Sequence, residues 1–160
     1  MDHIPFGETP ASRTIFYRRV CDLPANLDSP SPGGIVMQAT HVWAVRMPIP
    51  LGRAVKHHMA HRDSAVGPIL ALPRSNQWLY LIRPDVPEDV SLFAQLFRNH
   101  VSVIRAGGTV ALPSPTVRSE AIRQWIEPPR DTFRPSGLAI IASVRACLGP
   151  GKAQAVTHVQ

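Results

Sequence analysis

GPILALPRSNQWLYLIR, residues 67–83, carries the clearest structural signal in the chain. Two runs of aliphatic and aromatic residues, 67–72 and 78–83, flank a short segment that contains Pro73 and Asn76. Proline and asparagine favour turns, because proline restricts φ and asparagine hydrogen-bonds to the neighbouring backbone. The stretch therefore predicts a β-hairpin.

A helix is predicted directly after this hairpin, over residues 87–99. Its apolar residues recur at helical spacing and predict one stripe that faces the core. These residues are Val90, Phe93, Leu96 and Phe97. Three acids lie near the start of the helix, where the helix dipole favours negative charge. They are Asp85, Glu88 and Asp89. Helix capping explains them without a metal.

Further strands and helices follow from the same patterns on either side. Two apolar runs, 101–104 and 109–112, flank Gly107-Gly108 and predict a second hairpin. Residues 35–47 are β-branched and aromatic and predict one long strand or two short ones. The remaining expected elements are short helices over 51–64 and 120–126 and a last helix from Ser136 to Leu148. The predicted class is α+β: a mixed or antiparallel sheet of hairpins with helices packed on one face.

The length of 160 residues is typical of one domain. Prolines at five positions and a glycine pair in residues 1–34 predict a Pro-rich N-terminal arm that packs loosely. Residues 35–150 then form the single domain, and residues 151–160 a flexible tail.

Nothing in the sequence points to secretion or to a membrane. Cys21 and Cys147 are the only cysteines, and no apolar segment with a basic flank opens the chain. The longest apolar run, 138–144, is far shorter than the ~20 residues of a spanning helix. We therefore expect a cytoplasmic protein without a membrane segment.

The charge balance favours an anionic partner. Seventeen Lys and Arg residues against eleven Asp and Glu give a net charge of +6. Between His41 and Arg83 the cations alternate with aromatic residues, as in proteins that stack bases and neutralise phosphates. The nucleic-acid-binding candidates are Arg46, Arg53, Lys56, Arg62, Arg74, Trp78, Tyr80, Arg83 and Arg105. Equally, the aromatic residues could be core and the arginines could serve solubility.

Motifs for catalysis and cofactors are incomplete. His57, His58 and His61 form HHMAH, which resembles the helical zinc motif HExxH but has histidine at the position of the general base. No P-loop, dinucleotide fingerprint or nucleophile elbow occurs. All of the strands predicted here are free of Asp and Glu, so they offer no pair of carboxylates for two-metal chemistry. We predict no metal site and no cofactor.

The order of these features resembles the N-terminal domain of bifunctional primase/polymerases, a member of the archaeo-eukaryotic primase superfamily. The resemblance rests on LPRSNQWLYLIRP (72–84), HVSVIRAGGTVALPSPT (100–116) and Trp125, and covers roughly residues 65–126. With its basic character, the chain also resembles short primase-like proteins of high-GC actinobacteria.

The resemblance implies a catalytically inactive member of that family. Active members carry two aspartates on an early strand, a histidine on a middle strand and another acid on a late strand. The matching strands here, around Trp43, Trp78 and Ser102, have aromatic, apolar and basic residues instead. No catalytic residue can be carried over.

The expected function is therefore that of a non-enzymatic, primase/polymerase-like domain that binds nucleic acid through the surface between Arg46 and Arg83. The alternative is a protein-interaction or regulatory module that docks a protein partner. A histidine-based metal site is a minor alternative. The sequence leaves open whether the ligand is DNA, RNA or protein, and in which oligomeric state the chain binds it.

Overall fold

The computed structural model describes residues 3–28 and 32–158, with side chains as far as residue 149. The described residues form eight strands and five α-helices. The strands are β1 (Ala25–Asp28), β2 (Gly34–Gln38), β3 (Trp43–Pro48), β4 (Ile69–Leu72), β5 (Gln77–Ile82), β6 (Ser102–Ile104), β7 (Thr109–Leu112) and β8 (Gln124–Glu127). The helices are α1 (Pro10–Arg19), α2 (Ile49–His61), α3 (Val90–Arg98), α4 (Val117–Ile122) and α5 (Gly137–His158). The predicted α+β class is confirmed.

The hairpin predicted over 67–83 is confirmed. Strands β4 and β5 pair antiparallel, with Leu72 opposite Gln77 at the turn. One turn of 3₁₀ helix connects them, and Asn76 has a φ of 56°, a left-handed conformation that asparagine tolerates better than most residues. The hairpin forms the centre of a five-stranded sheet in the order β6-β3-β5-β4-β8.

The central sheet is covered on both faces, as the nearly continuous apolar sequence of β5 shows. Trp78 and Tyr80 pack into a core under the helices, whereas Leu79 and Leu81 pack into a second core on the opposite face. Side chains of a strand alternate between faces, so a strand buried on both sides needs apolar residues at every position.

Helices α2, α3 and α5 cover the first face. Gly52 in α2 brings the helix backbone against the sheet, and its carbonyl accepts a 2.7 Å hydrogen bond from the Tyr80 hydroxyl. The other core residues of these helices are nearly inaccessible to solvent. They are Val55, Met59, Leu92, Leu96, Ile140, Ile141 and Val144.

A second layer, made of α1 and the three-stranded sheet β1-β2-β7, covers the opposite face. The prediction of a loosely packed arm over 1–34 is therefore wrong for the described residues, because Phe16, Tyr17 and Cys21 are buried in the core. Pro10 is compatible with a helix because it occupies the first turn, where proline sacrifices no hydrogen bond. Residues 1–2 and 29–31 of that predicted arm lie outside the described residues.

The second predicted hairpin is wrong. Strands β6 and β7 do form, but β6 pairs with β3 in the large sheet and β7 pairs with β2 in the small one. Ala39, just after β2, exchanges backbone hydrogen bonds with Gly107 and Gly108, which extends the β2–β7 pairing into the turn. The glycine turn thus carries the chain from one sheet to the other. Of the two alternatives for residues 35–47, the two short strands form, as β2 and β3, and they too belong to different sheets.

The apolar stripe predicted on α3 is wrong in part. Leu96 is buried, but Val90 and Phe97 are 82% and 77% exposed. Phe93 is half-buried, and Leu92 takes the place next to Leu96 in the core. A nine-residue helix at the border of the sheet needs only one narrow contact line, and i, i+4 spacing provides it.

Two of the three acids near α3 cap different helices. Asp89 caps α3 through the Leu92 amide, as predicted. Asp85 instead accepts hydrogen bonds from the Ser136 hydroxyl and the Gly137 amide at the start of α5. The expectation that all three gather at α3 is therefore wrong for Asp85.

The C-terminal part departs from prediction in its short elements. The helix expected over 120–126 ends at Ile122, and β8 follows and pairs with β4. Helix α5 begins as predicted, with Ser136 accepting from the Ala139 amide, and Gly149 interrupts it with a φ of 69°. The backbone is helical again to His158 in the segment predicted as a tail, of which residues 159–160 lie outside the description. None of the described helices combines the length and the apolar character that crossing a membrane requires.

Candidate nucleic-acid interface

The cations predicted to form one surface lie in three separate places, of which the third, at Arg46 and Arg74, is described below. Arg53, Lys56 and Arg62 lie on or at the end of α2. Arg83 and Arg105 follow β5 and β6 at the same end of the central sheet, since Ile82 and Ile104 pair with neighbouring residues of β3. A continuous surface from Arg46 to Arg83 is therefore not formed.

The two aromatic candidates are core residues. Trp78 is 6% exposed and Tyr80 is fully buried, and both pack under α2. The Tyr80 hydroxyl already donates its hydrogen bond within the protein, and desolvation raises its pKa. Stacking on a base requires an accessible ring face. These two residues are thus unavailable for stacking, and the prediction for them is wrong.

Two of the predicted cations already have partners within the protein. The ammonium group of Lys56 lies 3.0 Å from a carboxylate oxygen of Glu127. The Arg105 guanidinium lies 3.2 Å from a carboxylate oxygen of Glu88 and 4.6 Å from the centre of the Phe93 ring. A phosphate would have to compete with these contacts.

Arg46 and Arg74 converge on a cleft between the two sheets, together with Arg123. We call this the arginine cleft; its volume is about 320 Å³. Arg46 projects from β3 on the face away from the helices, Arg74 lies in the β4–β5 turn, and Arg123 follows α4. Sequence reasoning missed Arg123, because three positions so far apart in the chain have no common spacing pattern.

The wall of the arginine cleft is the open edge of the small sheet. Thr109, Val110 and Ala111 all line it, although alternate side chains of a strand point to opposite faces. Three consecutive residues can line one cleft only if the strand presents its edge, and β7 is an outer strand of its sheet. The edge of β7 that does not pair with β2 therefore borders the cleft.

The electrostatics of the arginine cleft are one-sided. Among the described residues no Asp or Glu lines it, and none of its three arginines forms a salt bridge. The hydroxyl groups of Ser75 and Thr109 add hydrogen-bonding groups at the rim. Converging guanidinium groups without a counter-charge favour an anion, since each can hold a phosphate through two parallel hydrogen bonds.

The histidine cluster on α2 offers two exposed imidazoles. The rings of His57 and His61 lie 4.3 Å apart between centroids, one helical turn from each other. His58 is separate from them, because its Nδ1 lies 3.1 Å from the Ser143 hydroxyl on α5. In the part of the chain that the structure describes, no group of three His, Cys, Asp or Glu side chains could hold a metal ion.

The three strands that the primase-like resemblance implicates are neighbours in the central sheet, in the order β6-β3-β5. None of these three strands carries Asp, Glu or His. Two other strands do carry an acid, Asp28 in β1 and Glu127 in β8. Those two strands were not among the predicted ones.

Comparison with known proteins adds no relative to these observations. No family model, no curated protein and no solved structure matches this chain.

Proposed function

We propose that this chain is a nucleic-acid-binding domain that holds phosphate groups in the arginine cleft. One observation carries the proposal: Arg46, Arg74 and Arg123 converge between two sheets in a cleft that no described carboxylate lines. The net charge of +6 supports it by raising the local concentration of a polyanion.

The preferred ligand is single-stranded. The cleft is recessed between the two sheets, and a flexible strand can turn its phosphates inward, whereas a duplex holds them on a rigid outer surface. Three guanidinium groups neutralise few phosphates, so binding depends strongly on salt and shows little sequence preference. Base stacking contributes little, since none of the described lining residues is aromatic.

We further propose that the domain is non-catalytic. The absence of Asp, Glu and His from β3, β5 and β6 supports this, because two-metal polymerase chemistry needs carboxylates on neighbouring strands. Descent from a primase/polymerase domain stays a hypothesis that rests on the sequence resemblance alone.

Fluorescence anisotropy tests the proposal. A labelled single strand of about 20 nucleotides, as DNA and as RNA, is titrated at ~50 mM salt beside the matching duplex. We expect Arg46→Gln, Arg74→Gln and Arg123→Gln each to weaken binding several-fold. The matched controls Arg53→Gln and Arg62→Gln remove the same charge from exposed positions on α2 and leave affinity nearly unchanged.

Two results would contradict it. Undetectable binding at low salt removes nucleic acid as a ligand, because phosphate contacts are strongest under those conditions. Equal losses in the cleft variants and in the α2 controls would mean that net charge alone, and not the cleft, attracts the strand.

A second candidate function, docking of a protein partner, is favoured by the outer face of α3. Val90 and Phe97 are seven residues apart, lie on the same face and are largely exposed. Exposed large apolar residues at helical spacing are typical of helix-mediated docking. Co-purification of one stoichiometric partner, lost on Val90→Ser with Phe97→Ser, would favour this function over nucleic-acid binding.

A further inference from the structure

A cavity larger than the arginine cleft lies on the opposite side of the central sheet. It is a groove of about 860 Å³ between the start of α2, the end of α3 and α5, and we call it the helix groove. Its apolar wall comes mainly from the residues around the start of α2. They are Pro48, Pro50, Leu51 and Ala54, with Cys147 and Leu148 of α5 beside them.

The polar side of the helix groove is cationic. Arg98, His100 and Arg145 line it together with two amides, Gln95 and Asn99. The guanidinium of Arg145 donates to Gln95 Oε1 at 2.9 Å, which orients this arginine and ties α5 to α3. Among the described residues no carboxylate lines the groove, and neither arginine forms a salt bridge.

None of the side chains described on the groove wall supplies a negative charge. Cys147 is half-buried, and desolvation raises the pKa of its thiol, so it stays protonated at neutral pH. Arg98 and Arg145 thus line the groove with no described carboxylate beside them, and two guanidinium groups around one cavity favour an anion.

His100 lies on the groove wall directly after α3. His100 follows the end of α3 with a φ of 61°, a conformation in which glycine costs least. Residues in this conformation other than glycine carry a conformational penalty of about 1 kcal/mol or more. Histidine adopts this conformation more often than most residues, and here it brings an imidazole to the groove.

We propose that the helix groove binds a small organic anion, with a phosphate or carboxylate headgroup on Arg98 and Arg145 and an apolar body against the wall formed by Pro48, Pro50 and Leu51. The combination of a mostly apolar wall with a few convergent polar groups, at a volume within the ~300–1,000 Å³ of ligand sites, is typical of small-molecule binding. A nucleic-acid backbone would not use the apolar wall. The site is independent of the arginine cleft.

Isothermal titration calorimetry with dodecyl phosphate, kept below its micelle concentration, tests the proposal. Inorganic phosphate provides the headgroup alone, and anionic phosphatidylglycerol vesicles provide it in a membrane. We expect dodecyl phosphate to bind at least ~10-fold more tightly than inorganic phosphate, because only the former buries apolar surface. We expect Arg98→Gln and Arg145→Gln each to weaken binding ~10-fold or more, the usual loss for a charged hydrogen bond.

A matched control separates this site from the arginine cleft. Arg46→Gln removes the same charge on the other face of the sheet and leaves dodecyl phosphate binding unchanged, while it weakens nucleic-acid binding. Arg98→Gln has the opposite pattern. Failure of one proposal therefore leaves the other standing. Loss of vesicle binding in the groove variants would identify the headgroup source as a lipid surface, which also supports the site.

Alkylation of Cys147 localises the ligand without a substitution. Cys21 is fully buried, so maleimide reaches Cys147 first, slowly because its thiol is mostly protonated. We expect dodecyl phosphate to slow this reaction several-fold. An unchanged rate at saturating ligand, or equal losses of affinity in Arg46→Gln and Arg98→Gln, would overturn the proposal.

Discussion

A Cβ atom on Gly52 would lie only 2.8 Å from the Cε3 ring atom of Trp78. The α2 backbone can therefore approach β5 this closely only because residue 52 has no side chain. Gly52→Ala adds a good helix former, worth about 1 kcal/mol in an exposed helix. Overpacking against a buried indole costs about 1–3 kcal/mol and outweighs that gain. We expect a net loss of stability in urea denaturation.

The neighbouring position provides the control for this prediction. Arg53→Ala raises helix propensity at an exposed site, and we expect stability to stay within about 0.5 kcal/mol of the parent chain. An increase in stability for Gly52→Ala would mean that α2 does not lie on Trp78.

Tyr17→Phe tests whether the N-terminal segment belongs to the core. The Tyr17 hydroxyl donates to the Pro113 carbonyl at 2.5 Å and accepts from the Trp125 indole at 2.9 Å. Removing it leaves two polar groups unpaired, at about 1–3 kcal/mol for each that is buried. Tyr80→Phe is the matched control, because the Gly52 carbonyl keeps its hydrogen bond within α2 and the loss should be smaller. If Tyr17→Phe kept the stability of the parent chain, the N-terminal segment would be the loosely packed arm that the sequence predicts.

Asp85→Ala should destabilise the start of α5. Its carboxylate accepts from the Ser136 hydroxyl and, at 2.7 Å, from the Gly137 amide, which otherwise has no partner in the helix. We expect a loss of about 1–2 kcal/mol by chemical denaturation, as for other lost caps. Glu88→Ala removes a neighbouring acid that pairs with Arg105 at the surface, and it should change stability far less. Equal losses would contradict the capping role of Asp85.

Stability should fall in mild alkali because of Cys21. Burial, reinforced by the negative charge of Asp131, raises the pKa of its thiol from 9.0 to about 12. The unfolded chain therefore releases this proton at lower pH than the folded chain, so the stabilisation is complete below pH 9.0 and is lost progressively towards pH 12. Cys21→Ala should flatten the profile just above pH 9.0, before the tyrosines ionise. Cys147→Ala should change it less, and an unchanged slope in Cys21→Ala would refute the assignment.

The salt dependence of nucleic-acid binding measures how many phosphates the arginine cleft neutralises. For a single strand the slope of log K against log salt is about −0.7 per neutralised phosphate, so three arginines predict a slope of about −2. Each of Arg46→Gln, Arg74→Gln and Arg123→Gln should reduce it by about 0.7. Anisotropy at several salt concentrations measures it, and a slope unaffected by all three substitutions would place the phosphates elsewhere.

The local elements were predictable because their signals are local. Turn residues around Asn76 and the cap at Asp89 act within a few positions, and the structure confirms the hairpin and the helix that they predict. The class followed from the same signals. The pairing of β6 and β7 was not predictable from Gly107-Gly108, because the competing partners, β3 and β2, lie more than 50 residues upstream.

The candidate site was less predictable than the fold. An aromatic residue in a strand has the same sequence pattern whether it faces a ligand or a helix, and only the packing of α2 decides that Trp78 and Tyr80 are buried. Arg46 and Arg74 were identified from charge, but their convergence with Arg123 depends on how two sheets stack. The stacking of the two sheets is a property of the tertiary structure, and no spacing pattern in the sequence reveals it.

The pairing of β2 with β7 determines when the arginine cleft can exist during folding. Ile35 lies opposite Leu112, so this ladder closes a loop of more than 70 residues, and such non-local pairing is entropically expensive and slow. On the ribosome, β2 emerges long before its partner and must wait for the central sheet to be synthesised. Nascent chains that stop short of β7 would lack one wall of the cleft, so ligand binding is acquired only after β7 and Arg123 have been synthesised.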